Sequence, residues 1–297
     1  MSKRPLGITV LADFILSEGV DAVLDNIVDR AGAAAVALNP TVTAPASEGQ
    51  GSWQPPSDAG ASPRLFDRPL FGEPGLWVRS APSYVPDESC YTDSPYRPRP
   101  ADDLTESHGH VVDRFIDAAV DRGLEVYFQV SGQSARGMRD EDRPRLPDGG
   151  TPKRMADTGC LASPAIRAYL RGYVADLVAR YPKISGFRPD WPEYPCYMLD
   201  EAFQDFSPHV RRWALERGWA FDEVQREVTA LYDYLHGSLR NEDLAAFASG
   251  DRGAGEGLAL LRRFPGVFDW LRLKSALSVD MVSHWREILD ATGRDGL

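Results

Sequence analysis

Three times along this chain an amphipathic helix pattern runs into a short apolar segment with strand character, and few folds accommodate that alternation. In the first case Val20, Val23, Leu24, Ile27, Val28 and Ala31 recur at helical spacing, Gly32 stops the pattern, and Ala33 to Asn39 (AAAVALN) follows. In the second, Val111, Val112, Phe115, Ile116, Ala119 and Val120 share one helix face, Gly123 ends it, and Leu124 to Val130 (LEVYFQV) reads as a strand. The third opens with Ser163 as N-cap and Pro164 at the first helical position. It carries Ile166, Tyr169, Leu170, Tyr173, Val174 and Leu177 inward, and runs past Pro182 into Ile184 to Phe187 (ISGF). A further β-rich run, Gly7 to Phe14, precedes them all. Helices alternating with short apolar strands predict an α/β fold with a parallel sheet, its strands buried on both faces. The units do not align as a sequence repeat, which argues against a solenoid.

The 297 residues suit one α/β barrel, which needs about 250, and we read residues 1–297 as a single barrel-like domain. Four strands are legible, half of an eightfold barrel, and the chain stops where the pattern expects a fifth. Between the second strand and second helix lies an insert over residues 40–103. Twelve of the 23 prolines fall in 40–100, together with Trp53, Phe66, Phe71, Trp77, Tyr84, Tyr91 and Tyr96. Those aromatics provide apolar area to bury, so an ordered loop over the sheet's C-terminal edge is expected rather than a disordered linker. A second irregular stretch, Ser131 to Cys160, reaches the same edge. Beyond Phe187 the pattern is mostly helical: Glu201 to Arg217, Asp222 to Leu235, Asn241 to Ala248, and Phe268 to Thr292. The last is expected to bury Leu271, Val279, Val282, Trp285, Ile288 and Leu289, with Gly253 to Gly257 read as a loop between helices.

Composition narrows the partners. A net charge of −11 argues against a nucleic-acid or anionic-membrane surface as the main partner. Only four residues are lysine, so Schiff-base chemistry has few candidates. Three well-separated cysteines form neither a CxxC pair nor a disulfide framework, which suits a reducing compartment. Asp13 interrupts the apolar N-terminal run and no apolar stretch is long enough to span a bilayer, so a cytoplasmic protein is expected. An open half-barrel would expose two sheet edges, which predicts a homo-oligomer or a partner completing the barrel.

In a parallel βα sheet the residues at and just past the strand ends face the ligand crevice. Those here are Asp13, Asn39 and Gln129, then Arg188, Asp190 and Glu193. The segment from Gly186 to Tyr197 (GFRPDWPEYPCY) is the most informative. It sets two carboxylates among Trp191, Tyr194 and Tyr197, with three prolines restricting the backbone. A carboxyl among rings is partly desolvated, which suits a general acid, and aromatic faces pack against the C–H faces of sugars. His108 and His110 have a metal-like spacing, but two residues apart on a helix they face different ways, and no metal is expected. No Walker sequence, strand-linked GxGxxG or GxSxG is present, and no cofactor is implied.

The run Trp191-Pro-Glu-Tyr194, then Cys196-Tyr197, Phe203 and Phe206 to Trp213 (FSPHVRRW), resembles the stretch after the fourth strand of β-galactosidase-type glycoside hydrolases. Phe268 to Asp280, running into Trp285, is similar to that family's helix before strand five, so the resemblance covers residues 184–292. It implies a (β/α)8 TIM barrel, a carbohydrate substrate, and Glu193 as catalytic acid/base with Asp190 beside it. Trp191, Tyr194 and Tyr197 would wall the sugar, and Asp13, Asn39, Gln129 and Arg188 would bind its hydroxyls. Two departures stand out: Pro192 occupies the position of the family's asparagine, and the family's nucleophile would lie past Leu297. A non-catalytic carbohydrate-binding or scaffolding subunit is the alternative, and a metal-dependent barrel lyase or isomerase a further one.

Overall fold

A computed structural model describes residues 6–54, 57–58, 62–63, 71–73, 75–153 and 157–294. Phe66 therefore lies outside the described residues, as do 64–70 of the insert and the last three residues. In chain order the first elements are β1 (Gly7–Thr9), α1 (Ala12–Glu18), α2 (Val20–Asp25, continued by a π turn), β2 (Ala35–Leu38), β3 (Thr41–Ala46), β4 (Ser52–Gln54), β5 (Ser57–Asp58) and β6 (Ser62–Pro63). Next come β7 (Leu76–Pro82), α3 (Asp103–His108), α4 (His110–Asp121), β8 (Glu125–Ser131), α5 (Pro164–Arg180) and β9 (Gly186–Asp190). The remainder is helical: α6 (Leu199–Ala202), α7 (Pro208–Glu216), α8 (Phe221–Asp233), α9 (Asn241–Phe247), α10 (Gly250–Arg263) and α11 (Gly266–Ala291).

The main sheet orders its strands β1-β2-β8-β9, all parallel. This is an α/β protein in which strands adjacent in the sheet are successive βα units. Helix α5 begins as its sequence predicts, the Ser163 hydroxyl accepting from the Ile166 N–H with Pro164 at the first position. Val36, Leu38, Val126, Phe128 and Val130 are buried on one face of the sheet, where Phe128 meets Tyr181 at the end of α5 and Phe187 meets Trp285 of α11.

The other face corrects an expectation. Rather than being buried on both sides, β8 alternates, with Val126, Phe128 and Val130 inside and Glu125, Tyr127, Gln129 and Ser131 open or half-open. Thr9 and Arg188 lie on that same open face, where the Arg188 guanidinium donates to the Thr9 hydroxyl at 2.6 Å. These two residues sit on the outer strands of four. In a flat sheet three spacings of about 4.8 Å would hold their strands about 14 Å apart, so the contact requires a strongly concave polar face.

Several boundaries also shift. The first strand stops at Thr9, because α1 takes up Ala12 onward, Asp13 included. The fourth runs from Gly186 to Asp190, so Arg188 and Asp190 are strand residues rather than residues beyond it. The insert is built chiefly as an antiparallel sheet, β3-β7-β4, with Tyr84, Tyr91 and Tyr96 buried. The helix expected over Glu201 to Arg217 divides into α6 and α7, and α10 runs through Gly253 to Gly257. In α11 the buried face carries Trp270, Leu273, Leu277, Met281, Trp285 and Ile288, while Leu271, Val279 and Val282 are exposed. Of the expected stripe Trp285 and Ile288 are buried, whereas Leu271, Val279 and Val282 fall outside the buried face, because apolar residues occur on several sides of this helix.

Candidate functional site

Asn39, Gln129, Ser131 and Asp190 meet at the C-terminal ends of β2, β8 and β9, in a pocket of about 170 Å³ completed by Val130, Ser134, Asp157, Thr158 and Trp191. Four of these were expected from sequence, namely Asn39, Gln129, Asp190 and Trp191. Ser131, Ser134, Asp157 and Thr158 were missed individually, although all belong to the irregular stretch after the third parallel strand.

Hydrogen bonds orient the polar groups. Arg188 donates to the Thr9 hydroxyl, Thr9 donates to Gln129 Oε1 at 3.3 Å, and Gln129 Nε2 donates to Asp190 Oδ2 at 3.2 Å. The relay begins on a cation and ends on a carboxylate, so each link polarises the next and the Gln129 amide is fixed in one orientation. Asn39 spends its amide N–H on the Gln129 carbonyl at 2.8 Å, leaving its own oxygen as an acceptor. Arg188 is therefore linked to the pocket through Thr9 and Gln129 and does not itself line it. Asp157 pairs with Arg143, so the second carboxylate of the pocket is partly neutralised.

The bend after β9 is held from three directions. The Gly132 N–H donates to the Asp190 carbonyl at 2.7 Å, and a Cβ on Gly132 would stand 2.9 Å from that oxygen and 3.1 Å from Pro192 N and the Trp191 carbonyl. Only glycine permits this approach. The Trp285 indole N–H holds the Gly132 carbonyl at 2.9 Å, and the fully buried Gln133 donates from Nε2 to the Glu193 carbonyl at 2.9 Å. Between these anchors Trp191 adopts φ = 54°, a left-handed conformation that a bulky residue takes only under constraint. Its ring meets Tyr197 edge-on at 6.0 Å.

The remaining expected site residues lie elsewhere. Glu193 is solvent-exposed and does not line the pocket. Tyr197 is 61% exposed. Tyr194 is buried: its hydroxyl donates to Asp205 Oδ2 at 2.8 Å and accepts the Leu161 N–H at 2.9 Å. Burial, reinforced by the Asp205 charge, pushes the Tyr194 phenol well up, and burial likewise raises Asp205 and the Cys160 thiol. That cluster supports the loop from beneath. Asp13 is buried in the first turn of α1, outside the pocket lining. Among the described residues no group of three or more His, Cys, Asp or Glu side chains could hold a metal ion, and no helix is long and apolar enough to cross a membrane.

No protein-family model and no curated protein matches the chain. Among solved structures it is similar to the crystal structure of a beta-galactosidase from the psychrophilic Marinomonas ef1, at 13% identity and a TM-score of 0.40. The alignment covers 96% of this chain and 35% of that one, so the chain spans little more than a third of that protein's length.

Proposed function

We propose that the protein binds carbohydrate at the C-terminal end of its parallel sheet, in a site of glycoside hydrolase-like design. Asp190, Asn39 and Gln129 receive the sugar hydroxyls and Trp191 packs against the ring. The observation that carries this reading is the pinned bend: a strained tryptophan and an oriented carboxylate are held rigidly beside a polar concavity. The cavity is smaller than the about 300–1,000 Å³ typical of small-molecule sites, so it takes one sugar unit and leaves the rest of a larger saccharide outside.

Four successive parallel strands with a concave polar face support a half-barrel of the (β/α)8 type, in one domain that includes the 40–103 insert. The outer edges of β1 and β9 would pair with a second copy or with a partner that completes the barrel. Three free cysteines support a reducing, cytoplasmic setting.

Hydrolysis is the second reading. One observation favours it: the fully buried Gln133 fixes the backbone of Glu193, as a positioned acid/base would require. The exposure of the Glu193 side chain favours binding alone. Titrating a panel of saccharides while assaying aryl glycosides separates the two. Asp190→Asn is expected to weaken binding about tenfold, the loss of one charge-assisted hydrogen bond, with Glu193→Gln close to parent affinity. Turnover by the parent that disappears in Glu193→Gln would establish the hydrolase. Unchanged affinity in Asp190→Asn would overturn the carbohydrate site.

A further inference from the structure

A second, larger concavity lies between residues 85–101 and 136–139, with a volume of about 640 Å³. Its walls are unlike those of the first. Pro86, Pro95, Pro98 and Pro100 present flat apolar rings, Tyr96 adds an aromatic one, and three guanidinium groups, Arg97, Arg136 and Arg139, face a single carboxylate, Glu88. With Glu141 pairing Arg139 at the rim, three positive groups against two negative leave one positive charge in excess, in a chain of net −11.

The arginines differ in how they are held. Arg97 is fixed by three carbonyls, those of Tyr91, Ser94 and Tyr96, at 2.9, 2.7 and 2.8 Å, all through one nitrogen. Arg139 stacks over the Tyr96 ring and pairs with Glu141 at 3.2 Å. Arg136 is exposed and has no hydrogen-bond or ion-pair partner among the described residues. Its guanidinium is available to an anion, and the planar fork of arginine matches a carboxylate in two hydrogen bonds.

We infer that this groove binds the anionic portion of an acidic oligosaccharide, its uronate carboxylates meeting Arg136 and Arg139 and its ring faces lying on the prolines and Tyr96. The inference rests on the carbohydrate reading of the first pocket and extends it to a substrate class. Its second wall belongs to the loop after β8, whose Ser134 lines that pocket beside Ser131 at the end of β8, so one loop serves both concavities. The volume falls within the about 300–1,000 Å³ of ordinary ligand sites.

The test is calorimetric titration of the full chain with a short oligogalacturonate and with a neutral oligogalactose of equal length. The acidic oligomer is expected to bind more tightly, to weaken with added salt, and to lose about tenfold in affinity in Arg136→Ala and more in Arg136→Glu. The neutral oligomer's affinity is expected not to change in either variant. Arg136 is exposed and has no hydrogen-bond or ion-pair partner among the described residues, so both variants should fold, which circular dichroism verifies. Equal affinity for the two oligomers, no effect of Arg136→Glu, or full competition by an oligoglutamate peptide of matched charge would overturn the inference. If the neutral oligomer binds and Asp190→Asn weakens that binding about tenfold, the carbohydrate pocket survives such a failure. If neither oligomer binds, both readings fall.

Discussion

The indole N–H of Trp285, in the C-terminal third of the last long helix, donates to the carbonyl of Gly132 at 2.9 Å across 153 residues of sequence. Gly132 in turn donates to Asp190. The position of the candidate carboxylate is therefore tied to α11 through a residue that cannot carry a side chain.

Replacing Gly132 by alanine drives a Cβ to within 2.9 Å of the Asp190 carbonyl oxygen, a backbone atom with little room to yield. We expect a loss of about 1–3 kcal/mol in denaturant unfolding and a larger proportional loss of saccharide binding, since the bend must shift. Parent-like affinity in a folded Gly132→Ala would show that the bend does not shape the site.

Trp191 at φ = 54° offers a comparison of two truncations. Both Trp191→Gly and Trp191→Ala remove the ring and should weaken saccharide binding. Only glycine relieves the left-handed strain, worth about 1–2 kcal/mol, against an unfolded-chain entropy term of about 0.5–1 kcal/mol. The glycine variant should therefore be the more stable by about 0.5–1 kcal/mol, read from urea midpoints.

Tyr194→Phe separates support from contact. It removes a hydroxyl bonded to Asp205 and to the Leu161 N–H, leaving both groups buried without that partner. Stability should fall by about 1–3 kcal/mol while saccharide affinity stays within about twofold of the parent, because the ring does not reach the pocket. A large affinity loss at unchanged stability would return Tyr194 to the binding wall.

His284 sets a pH dependence. Desolvation by burial lowers its pKa below the usual 6.5, its Nε2 lying 3.3 Å from the Arg167 carbonyl. The unfolded chain then binds a proton that the folded chain resists. Stability is full above 6.5 and falls as pH drops through that value toward the lower folded pKa. In His284→Gln the portion of the pH–stability slope below 6.5 should flatten, measured by denaturation at successive pH values.

The sequence made the βα alternation legible because each helix carries its own start, stripe and stop, as at Ser163-Pro164 and Gly123. Asn39, Gln129, Asp190 and Trp191 were legible for the same reason: strand ends define where a crevice opens. Glu193 and Tyr194 were not, because each proline after β9 redirects the chain and alternation no longer tells which side chain faces inward. Asp157 and Thr158 sit in a long loop whose path depends on contacts such as the Cys160 N–H to the Asp142 carbonyl, 2.8 Å, which no local pattern encodes. The buried face of α11 was legible at Trp285 and Ile288 but not at Leu271, Val279 and Val282, because apolar residues ring that helix on several sides and periodicity alone did not rank them.

A sheet that is oily on one side and wet on the other distributes mutational tolerance unevenly. Changes at Val126 or Phe128 disturb the interior, whereas Glu125, Tyr127 and Arg188 can be rewritten with little penalty to the scaffold. On the proposed reading, the concave side is thus a surface on which ligand preference can drift while the architecture stays constant.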